Sequence, residues 1–430
     1  MARTNKARKD DGLYRKTVLR NGLRVVTEHL PAVRSISLGV WVDVGSRNET
    51  APESGLSHFV EHLVFKGTER RNARQVAASL ESLGGVLNAF TTREHTCFTA
   101  RVLDEHLEAA VDILSDLTCH ATLTALNMNR ERQVICEEIK ESQDTPSDYI
   151  HDLFAATHWG DHPLGRPIMG TLDTIQAVKR SLLTRFVSRN YRTESVVVAA
   201  SGSVSHDRLV RLVREKFAFT EGRPEPPNTA MRPNGCAVKV KTDDNNQTQF
   251  CMGFPSISYQ DRRRMEMMVM SAYLGGGMSS VLFQKIREQR GLVYTVYTFH
   301  DFYRDAGIFG VYLGTDRTHL REAYDVILEE CRRLKRLSLK PDALHKVKEQ
   351  LKGQLTLAME STSARANRLG RLESVLGTYI SLDDTIKAID QVTARQVRDI
   401  ANEVFDETQL TVAALGPVDK GTFDDLTGRN

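Results

Sequence analysis

The sequence has no apolar run long enough to cross a membrane. A transmembrane helix needs about 20 predominantly apolar residues, and the longest candidate, SVVVAASGSV from Ser195, is interrupted by Ser and Gly. The N-terminal segment MARTNKARKDDGLYRK lacks the apolar core of a secretory signal, and Asp10 and Asp11 argue against a mitochondrial transit peptide. We therefore expect neither a membrane span nor secretion.

Cysteine and aromatic residues are also scarce. The six cysteines include no Cys-x-x-Cys pair, which excludes a zinc ribbon and a dithiol redox motif and fits a reducing compartment. Hydrophobic residues make up 40% and charged residues 26% of the 430-residue chain, and the mean hydropathy is -0.35. This balance is typical of a globular protein rather than a disordered or fibrous one. The length predicts two or three domains.

Neither sign of charge is in large excess. The formal net charge is +3, and seven Lys or Arg against two Asp fall within residues 1–20, so the rest of the chain is slightly negative. The body is therefore not expected to bind nucleic acid. We interpret the basic N-terminal segment as a solvated terminus or as an electrostatic tether to an acidic partner.

A proline-rich segment predicts a domain linker. Four of the twelve prolines lie between Pro224 and Pro233, where Pro, Gly and Asn disfavour helix and strand. We place the linker at 222–235, between an N-terminal domain over 1–221 and a C-terminal domain over 236–430. Both domains end alike, since LDTIQAVKR and later VVVAASG in the first match DDTIKAID and later TVAALG in the second. The match indicates homologous halves.

Apolar spacing alternates between strand and helix periods along the first half. The pattern predicts strands over 35–45, 86–90 and 95–102, and helices from residue 73, over 106–119 and over 124–143. Thr124 is the expected N-cap of the last helix.

The segment GLSHFVEHLVFKGT, which starts at Gly55, has the spacing of a helix buried on one side. Within it, His58 and His62 are four residues apart, so both imidazoles can reach one metal ion. Glu61 lies beside that face and can take a proton from metal-bound water. The pattern is the inverted zinc-peptidase motif His-x-x-Glu-His, although a helix with two surface histidines would show it too.

A third ligand is expected from the predicted helix over 124–143. Glu131 and Glu138 are seven residues apart and share one face, so Glu138 is the expected ligand and Glu131 is expected to orient a histidine. Glu137 lies about 100° round the helix and is expected to face solvent.

A second histidine pair competes with this assignment. His158 and His162 are also four residues apart, with Asp161 between them, but Gly160 and Pro163 disfavour a regular helix there. We interpret this segment as a structural loop or as a feature of the substrate side.

Together these residues resemble the pitrilysin (insulinase) family of zinc peptidases, especially the branch with the mitochondrial processing peptidase β subunit and similar bacterial proteins. HFVEHLVFKGT matches the family's zinc helix, and ERQVICEEIKESQDTPSD matches the helix of the third ligand, with a spacing that selects Glu138 over Glu137. The resemblance implies an α+β fold of two homologous halves, each a mixed, mainly antiparallel sheet packed with helices. It also implies one Zn2+ per chain, since the second half lacks the motif.

The resemblance extends to expected substrate-binding residues. The family's substrate strand corresponds to GGVLNAFTTREHTCF, which implies that Asn88, Ala89 and Phe90 contact a peptide lying as an added strand. In the second half, LGGGMSSVLFQKIREQRGLVY resembles a segment whose Arg and Tyr bind the substrate carbonyl, and these fall on Arg287 and Tyr294. The short glycine loop at Gly275 distinguishes the chain from noncatalytic relatives.

The resemblance implies a zinc metalloendopeptidase that cleaves unfolded peptides or presequence-like segments in a closed chamber. His58, His62 and Glu138 would hold the ion, Glu131 would orient a histidine, and Glu61 would activate the water. Because the chain is half as long as single-chain members, a homodimer is expected, in the bacterial cytoplasm rather than the mitochondrial matrix. Two alternatives remain: a noncatalytic scaffold subunit of the same fold, and a zinc hydrolase of non-peptide amides.

Overall fold

The computed structural model describes residues 13–226, 235–244, 246–419 and 421–427. Residues 1–12 of the basic segment and 227–234 of the expected linker lie outside the described residues. The chain divides into two compact units, each built from more than one stretch of sequence. The first unit comprises Met1–Ile139, Pro167–Asn228 and Leu357–Ser381, and the second comprises Lys140–Arg166, Thr229–Thr356 and Leu382–Asn430.

Strands and helices alternate along the chain. The strands are β1 Tyr14–Val18, β2 Arg24–His29, β3 Ser35–Val42, β4 Val86–Thr91, β5 Thr96–Leu103, β6 Val196–Gly202, β7 Ala237–Thr242, β8 Thr248–Ser256, β9 Val293–Phe302, β10 Gly307–Thr315 and β11 Thr411–Gly416. The helices are α1 Leu56–Val64, α2 Ala73–Glu81, α3 Leu107–His120, α4 Ala125–Gln143, α5 Pro146–Trp159, α6 Leu172–Ala177, α7 Arg180–Asn190, α8 His206–Lys216, α9 Arg264–Gly275, α10 Leu320–Arg336, α11 Pro341–Ala358, α12 Thr362–Leu376, α13 Leu382–Gln391 and α14 Ala394–Val404.

The first unit is built on a six-stranded sheet in the order β1-β2-β6-β3-β5-β4. Strand β6 runs parallel to β2, and every other neighbouring pair is antiparallel. Its sequence VVVAASG is buried along its whole length, as expected for a central strand covered on both faces. Strand β4 lies at the edge, which leaves one side of this strand without a partner strand among the described residues.

The second unit repeats this arrangement with five strands in the order β7-β11-β8-β10-β9. Strand β11 is parallel to β7 and antiparallel to β8, as β6 is to β2 and β3. The matching end segments of the two halves thus form equivalent central strands, β6 and β11. The two sheets confirm the expected α+β fold of mixed, mainly antiparallel sheets packed with helices.

Each unit includes a helix from the other half of the sequence. Helix α12 packs on β2, β3 and β6 of the first sheet, where Ser37 Oγ lies 2.9 Å from Thr362 Oγ1. The fit is tight, since a Cβ on Gly370 would lie 2.3 Å from Nε1 of Trp41. In the second unit α5 packs on β7, β8 and β11. The two units therefore differ from a simple division at the linker. Segment 140–166 belongs to the second unit, and segment 357–381 belongs to the first.

The local predictions from periodicity agree with the structure. The expected strands and helices of the first half correspond to β3, β4, β5, α2, α3 and α4. Thr124 Oγ1 accepts a hydrogen bond from the N–H of Asn127 at 3.3 Å, as an N-cap does. Within the described residues no helix has both the length and the apolar character that a membrane span requires.

Candidate metal centre and active site

Helix α1 carries the motif and turns its apolar side to the core of the first unit. Its first residue follows Gly55, whose φ of 95° lies in the left-handed region, and a Cβ there would lie 2.6 Å from the carbonyl oxygen of Met169. Glycine is therefore required at this entry to the helix. The motif residues His58, Glu61 and His62 are half-buried on the other side. The buried residues of the helix are Leu56, Ser57, Phe59, Val60, Leu63 and Val64.

The three expected ligands lie together. Oε2 of Glu138, on α4, is 3.3 Å from Nε2 of His62 and 3.9 Å from Nε2 of His58. The two imidazole centroids are 4.6 Å apart. Within the described part of the chain, this is the one group of three or more His, Cys, Asp or Glu residues whose ligand atoms all lie within 4.8 Å of one another.

This donor set fits a zinc ion. With bonds of about 2.1 Å, adjacent donors of a tetrahedral zinc site lie about 3.4 Å apart, close to the separations found here. Burial, and secondarily the charge of His62, lowers the pKa of His58 to about 4, so its imidazole is neutral and able to ligate at pH 7. Three protein ligands would leave a fourth position for water, which is the arrangement of catalytic rather than structural zinc sites.

Glu131 contacts His62 from α4, about two helical turns before Glu138. Its Oε2 is 3.3 Å from Nδ1 of His62, and its Oε1 is 3.0 Å from Nζ of Lys66. The side chain is almost fully buried, so its negative charge is balanced by these neighbours. Glu131 is thus a neighbour of His62, and Lys66 is a second partner that was not expected.

Glu61 is held by a residue from the neighbouring strand. Thr91 Oγ1, at the end of β4, donates a hydrogen bond to Oε2 of Glu61 at 2.5 Å. Burial raises the pKa of the Glu61 carboxyl above its usual value, and the Thr91 hydroxyl and the charge of His62 oppose that rise. A half-buried carboxylate beside the ligands is suited to proton transfer.

The expected substrate strand forms the exposed edge of the first sheet. Asn88 is exposed, and its Oδ1 accepts a hydrogen bond from the N–H of Ala89 at 2.9 Å. The ring of Phe90 packs edge-on against Trp41 at 5.6 Å, on the sheet face opposite α1. Ala89 packs against the core on the α1 face, so of these three residues Asn88 is the one with an exposed side chain.

Arg287 and Tyr294 lie together in the second unit. The Arg287 guanidinium carbon is 5.3 Å from the centroid of the Tyr294 ring and 4.7 Å from that of Phe283. Arg287 belongs to a π-helical turn, Phe283–Glu288, and Tyr294 is 75% exposed at the start of β9. The pair therefore presents a cation and a phenol at the surface of this unit.

The competing histidine pair belongs to no group of three close metal-ligand atoms within the described residues. His158 belongs to the last turn of α5, which ends at Trp159, so the helix extends further than expected and stops at the glycine. Its Nδ1 lies 2.9 Å from Thr411 Oγ1, and burial lowers its pKa to about 3. His162 Nδ1 accepts a hydrogen bond from the N–H of Leu164. The structural interpretation of this segment is the one the contacts favour.

Sequence reasoning missed Glu49, which caps the motif helix. Its carboxylate accepts hydrogen bonds from the N–H groups of Gly55 at 2.8 Å and Ser57 at 2.6 Å, at the positive end of the α1 dipole. The residue is only 3% exposed, and burial raises its pKa to about 8 despite these bonds. No periodicity marks such a residue, because it lies in the loop between β3 and α1.

Two family models match the chain. The model described as insulinase, peptidase family M16, matches residues 24–172, and the model described as peptidase M16 inactive domain matches residues 177–351. The first match includes the whole candidate centre, and the second begins after it. The residues of this centre are His58, Glu61, His62, Glu131 and Glu138.

Curated relatives cover nearly the whole chain. An uncharacterized zinc protease of Streptomyces coelicolor is 38% identical over 95% of this chain and 90% of its own length. An uncharacterized zinc protease of Bacillus subtilis is 36% identical over 94% of this chain and 98% of its own length. An uncharacterized zinc protease of Mycobacterium leprae is 40% identical over 96% of this chain and 93% of its own length.

Solved structures share the fold. A protease from Helicobacter pylori superposes with a TM-score of 0.87 at 23% identity, over 94% of this chain and 99% of that chain. A peptidase M16 inactive domain from Pseudomonas fluorescens superposes with a TM-score of 0.88 at 18% identity, over 94% of this chain and 98% of that chain. At these identities the likeness shows the fold alone.

Proposed function

The chain belongs to the insulinase family of peptidases, M16, and on this premise we propose that it is a zinc-dependent endopeptidase. The observation that carries the proposal is the convergence of His58, His62 and Glu138, with the Glu61 carboxyl beside them. Neutral imidazoles and one carboxylate are the donors of catalytic zinc sites in peptidases.

His58, His62 and Glu138 would hold the ion, and Glu131 would keep His62 in the tautomer that ligates through Nε2. Zinc, when bound, supplies a Lewis acid that lowers the pKa of water and polarises a peptide carbonyl. Glu61 accepts the proton of the attacking water and then donates it to the leaving amine. The pKa of Glu61, raised by burial, makes its carboxyl suitable for both transfers.

The substrate is proposed to be an unfolded peptide or presequence-like segment that adds as a strand to the edge of β4. Asn88 and the backbone of Ala89 and Phe90 line this edge, and backbone pairing selects extended chains without fixing their sequence. Arg287 and Tyr294 are proposed to donate hydrogen bonds to the substrate carbonyl, where negative charge develops. A homodimer that encloses the site in a closed chamber, in the bacterial cytoplasm, completes the proposal.

The test compares the native protein with Glu61→Gln, which preserves shape but removes the base. We measure zinc per chain and cleavage of a quenched, unstructured basic peptide, with the exposed Glu81→Gln of α2 as the matched control. We expect about one zinc per chain in all three proteins, and a loss of activity of about 100-fold or more for Glu61→Gln alone.

Other outcomes have defined meanings. A native protein that binds no zinc and cleaves no peptide would overturn the peptidase and favour a noncatalytic scaffold subunit. Cleavage of small amides but not of peptides would favour a different zinc hydrolase. Efficient cleavage of a compact folded protein would contradict the closed chamber, and a monomer in light scattering would contradict the homodimer.

A further inference from the structure

Thr91 connects the exposed edge strand to the proposed base. It is the last residue of β4, and its hydroxyl lies 2.5 Å from Oε2 of Glu61 on α1. We propose that Thr91 is a positioning residue, which fixes the Glu61 carboxylate so that its second oxygen is free for proton transfer. This inference rests on the proposed function, because it assigns a purpose to Thr91 only if Glu61 is the base.

The direction of the hydrogen bond is determined by the chemistry of the two groups. A threonine hydroxyl has one proton, and an ionised carboxylate can only accept, so Thr91 donates and Glu61 accepts. Bonds from a neutral donor to a charged acceptor are shorter and stronger than neutral pairs. In the described part of the chain, Thr91 is the one residue that donates a hydrogen bond to this carboxylate.

A glutamate needs such a partner if it is to act as a base. Its side chain rotates about three bonds, and each rotation moves the carboxylate away from the ligands beside it. A base must lie within hydrogen-bond reach of the proton that it takes. If the carboxylate is oriented before the substrate binds, the entropy cost of orienting it does not add to the reaction barrier. The bond between β4 and α1 provides that orientation.

The position of Thr91 also relates the base to the proposed substrate strand. Side chains alternate along β4, so Leu87, Ala89 and Thr91 face α1, whereas Phe90 faces Trp41. The hydroxyl that holds Glu61 is therefore part of the same strand to which a peptide would pair. The edge and the base keep a fixed relation because β4 carries both the edge and the hydroxyl that holds the Glu61 carboxylate on α1.

The experiment compares Thr91→Val, which keeps the shape but removes the hydroxyl, with Thr91→Ser, which keeps the hydroxyl. The matched control is Thr17→Val, on β1 at the opposite edge of the same sheet, where a half-buried threonine hydroxyl bonds Nε2 of His206. We expect Thr91→Val to lower kcat by about tenfold with KM and zinc content unchanged. Thr91→Ser should recover most of kcat, and Thr17→Val should retain the native value.

A second measurement separates positioning from substrate contact and does not use activity. Peptide affinity is measured for two proteins, the single variant Glu61→Gln and the double variant that also carries Thr91→Val. If Thr91 acts through Glu61, the two proteins bind the peptide equally, whereas a direct substrate contact would weaken binding. Crystal structures of Thr91→Val and Thr91→Ser should show the Glu61 carboxylate displaced in the first and retained in the second.

Each result decides the inference. An active native protein, an inactive Glu61→Gln and a fully active Thr91→Val would overturn the role of Thr91 while leaving the peptidase intact. An inactive native protein would overturn the proposed function itself. If Thr91→Val does not fold, Thr91→Ala against Thr91→Ser gives the same comparison, and equal kcat values for these two variants would overturn the inference.

Discussion

Glu131 and His62 form a carboxylate–imidazole pair in which Oε2 lies 3.3 Å from Nδ1, while Nε2 of the same ring lies 3.3 Å from Glu138. Nε2 of the ring is thus directed to the candidate metal centre, and Nδ1 is held by the buried Glu131 carboxylate. Lys66 forms an ion pair with the same carboxylate, so the pair is part of a chain of charges that ends at the candidate metal centre.

Glu131→Gln should weaken zinc binding without unfolding the protein. The glutamine keeps the shape of the side chain but loses the charge that favours a protonated Nδ1, so we expect zinc affinity to fall by about 10- to 100-fold. Competition with a coloured chelator measures the change. The control is Glu137→Gln, six residues further along α4 and exposed, which should retain the native affinity. Equal affinities for the two variants would contradict the orienting role of Glu131.

Glu49 should make the unfolding free energy depend on pH. Burial raises its pKa to about 8 in the folded protein from an unfolded value of 4.5, so between these values only the folded state retains the proton. Unfolding then releases a proton, and rising pH lowers the unfolding free energy, by at most about 1.4 kcal/mol per pH unit.

The measurement is urea unfolding between pH 5 and pH 8 for the native protein and for Glu49→Gln, which mimics the protonated carboxyl. We expect the native protein to lose stability relative to this variant as the pH rises. Glu81→Gln, at an exposed position, should follow the native curve. Parallel curves for the native protein and Glu49→Gln would show that the carboxyl does not titrate in this range.

Gly370→Ala should destabilise the first unit by overpacking. A Cβ at this position of α12 would lie 2.3 Å from Nε1 of the buried Trp41, so helix or indole must shift, at a cost of about 1–3 kcal/mol. Gly353→Ala is the matched control, because this glycine lies in the exposed part of α11 with no atom within 4 Å of the added Cβ. The control should gain about 0.5–1 kcal/mol from helix propensity. Thermal unfolding followed by tryptophan fluorescence separates the two, and a stabilised Gly370→Ala would refute the tight packing.

The sequence predicted what depends on local spacing and on the motif. Periodicity located β3, β4, β5 and α4, and helical geometry put His58 and His62 on one face. The choice of Glu138 rested on the face it shares with Glu131 and on the spacing of the resembling family. Thr91 escaped prediction because a hydrogen bond between residues 30 positions apart depends on how a strand and a helix pack. Helix α12 shows the same limit, since an apolar face indicates that a helix is buried but not which sheet buries it.

The contribution of α12 to the first sheet has a consequence for biosynthesis. Trp41, Cys97, Val197 and Ala199 form a buried cluster with Leu369, which is translated about 170 residues after the last of these strands. As the nascent chain leaves the ribosome, this face of the sheet stays uncovered until α12 emerges. The first unit is therefore completed late in translation. A fragment that ends at residue 226 contains all the proposed metal ligands but lacks α12, which packs on one face of the sheet.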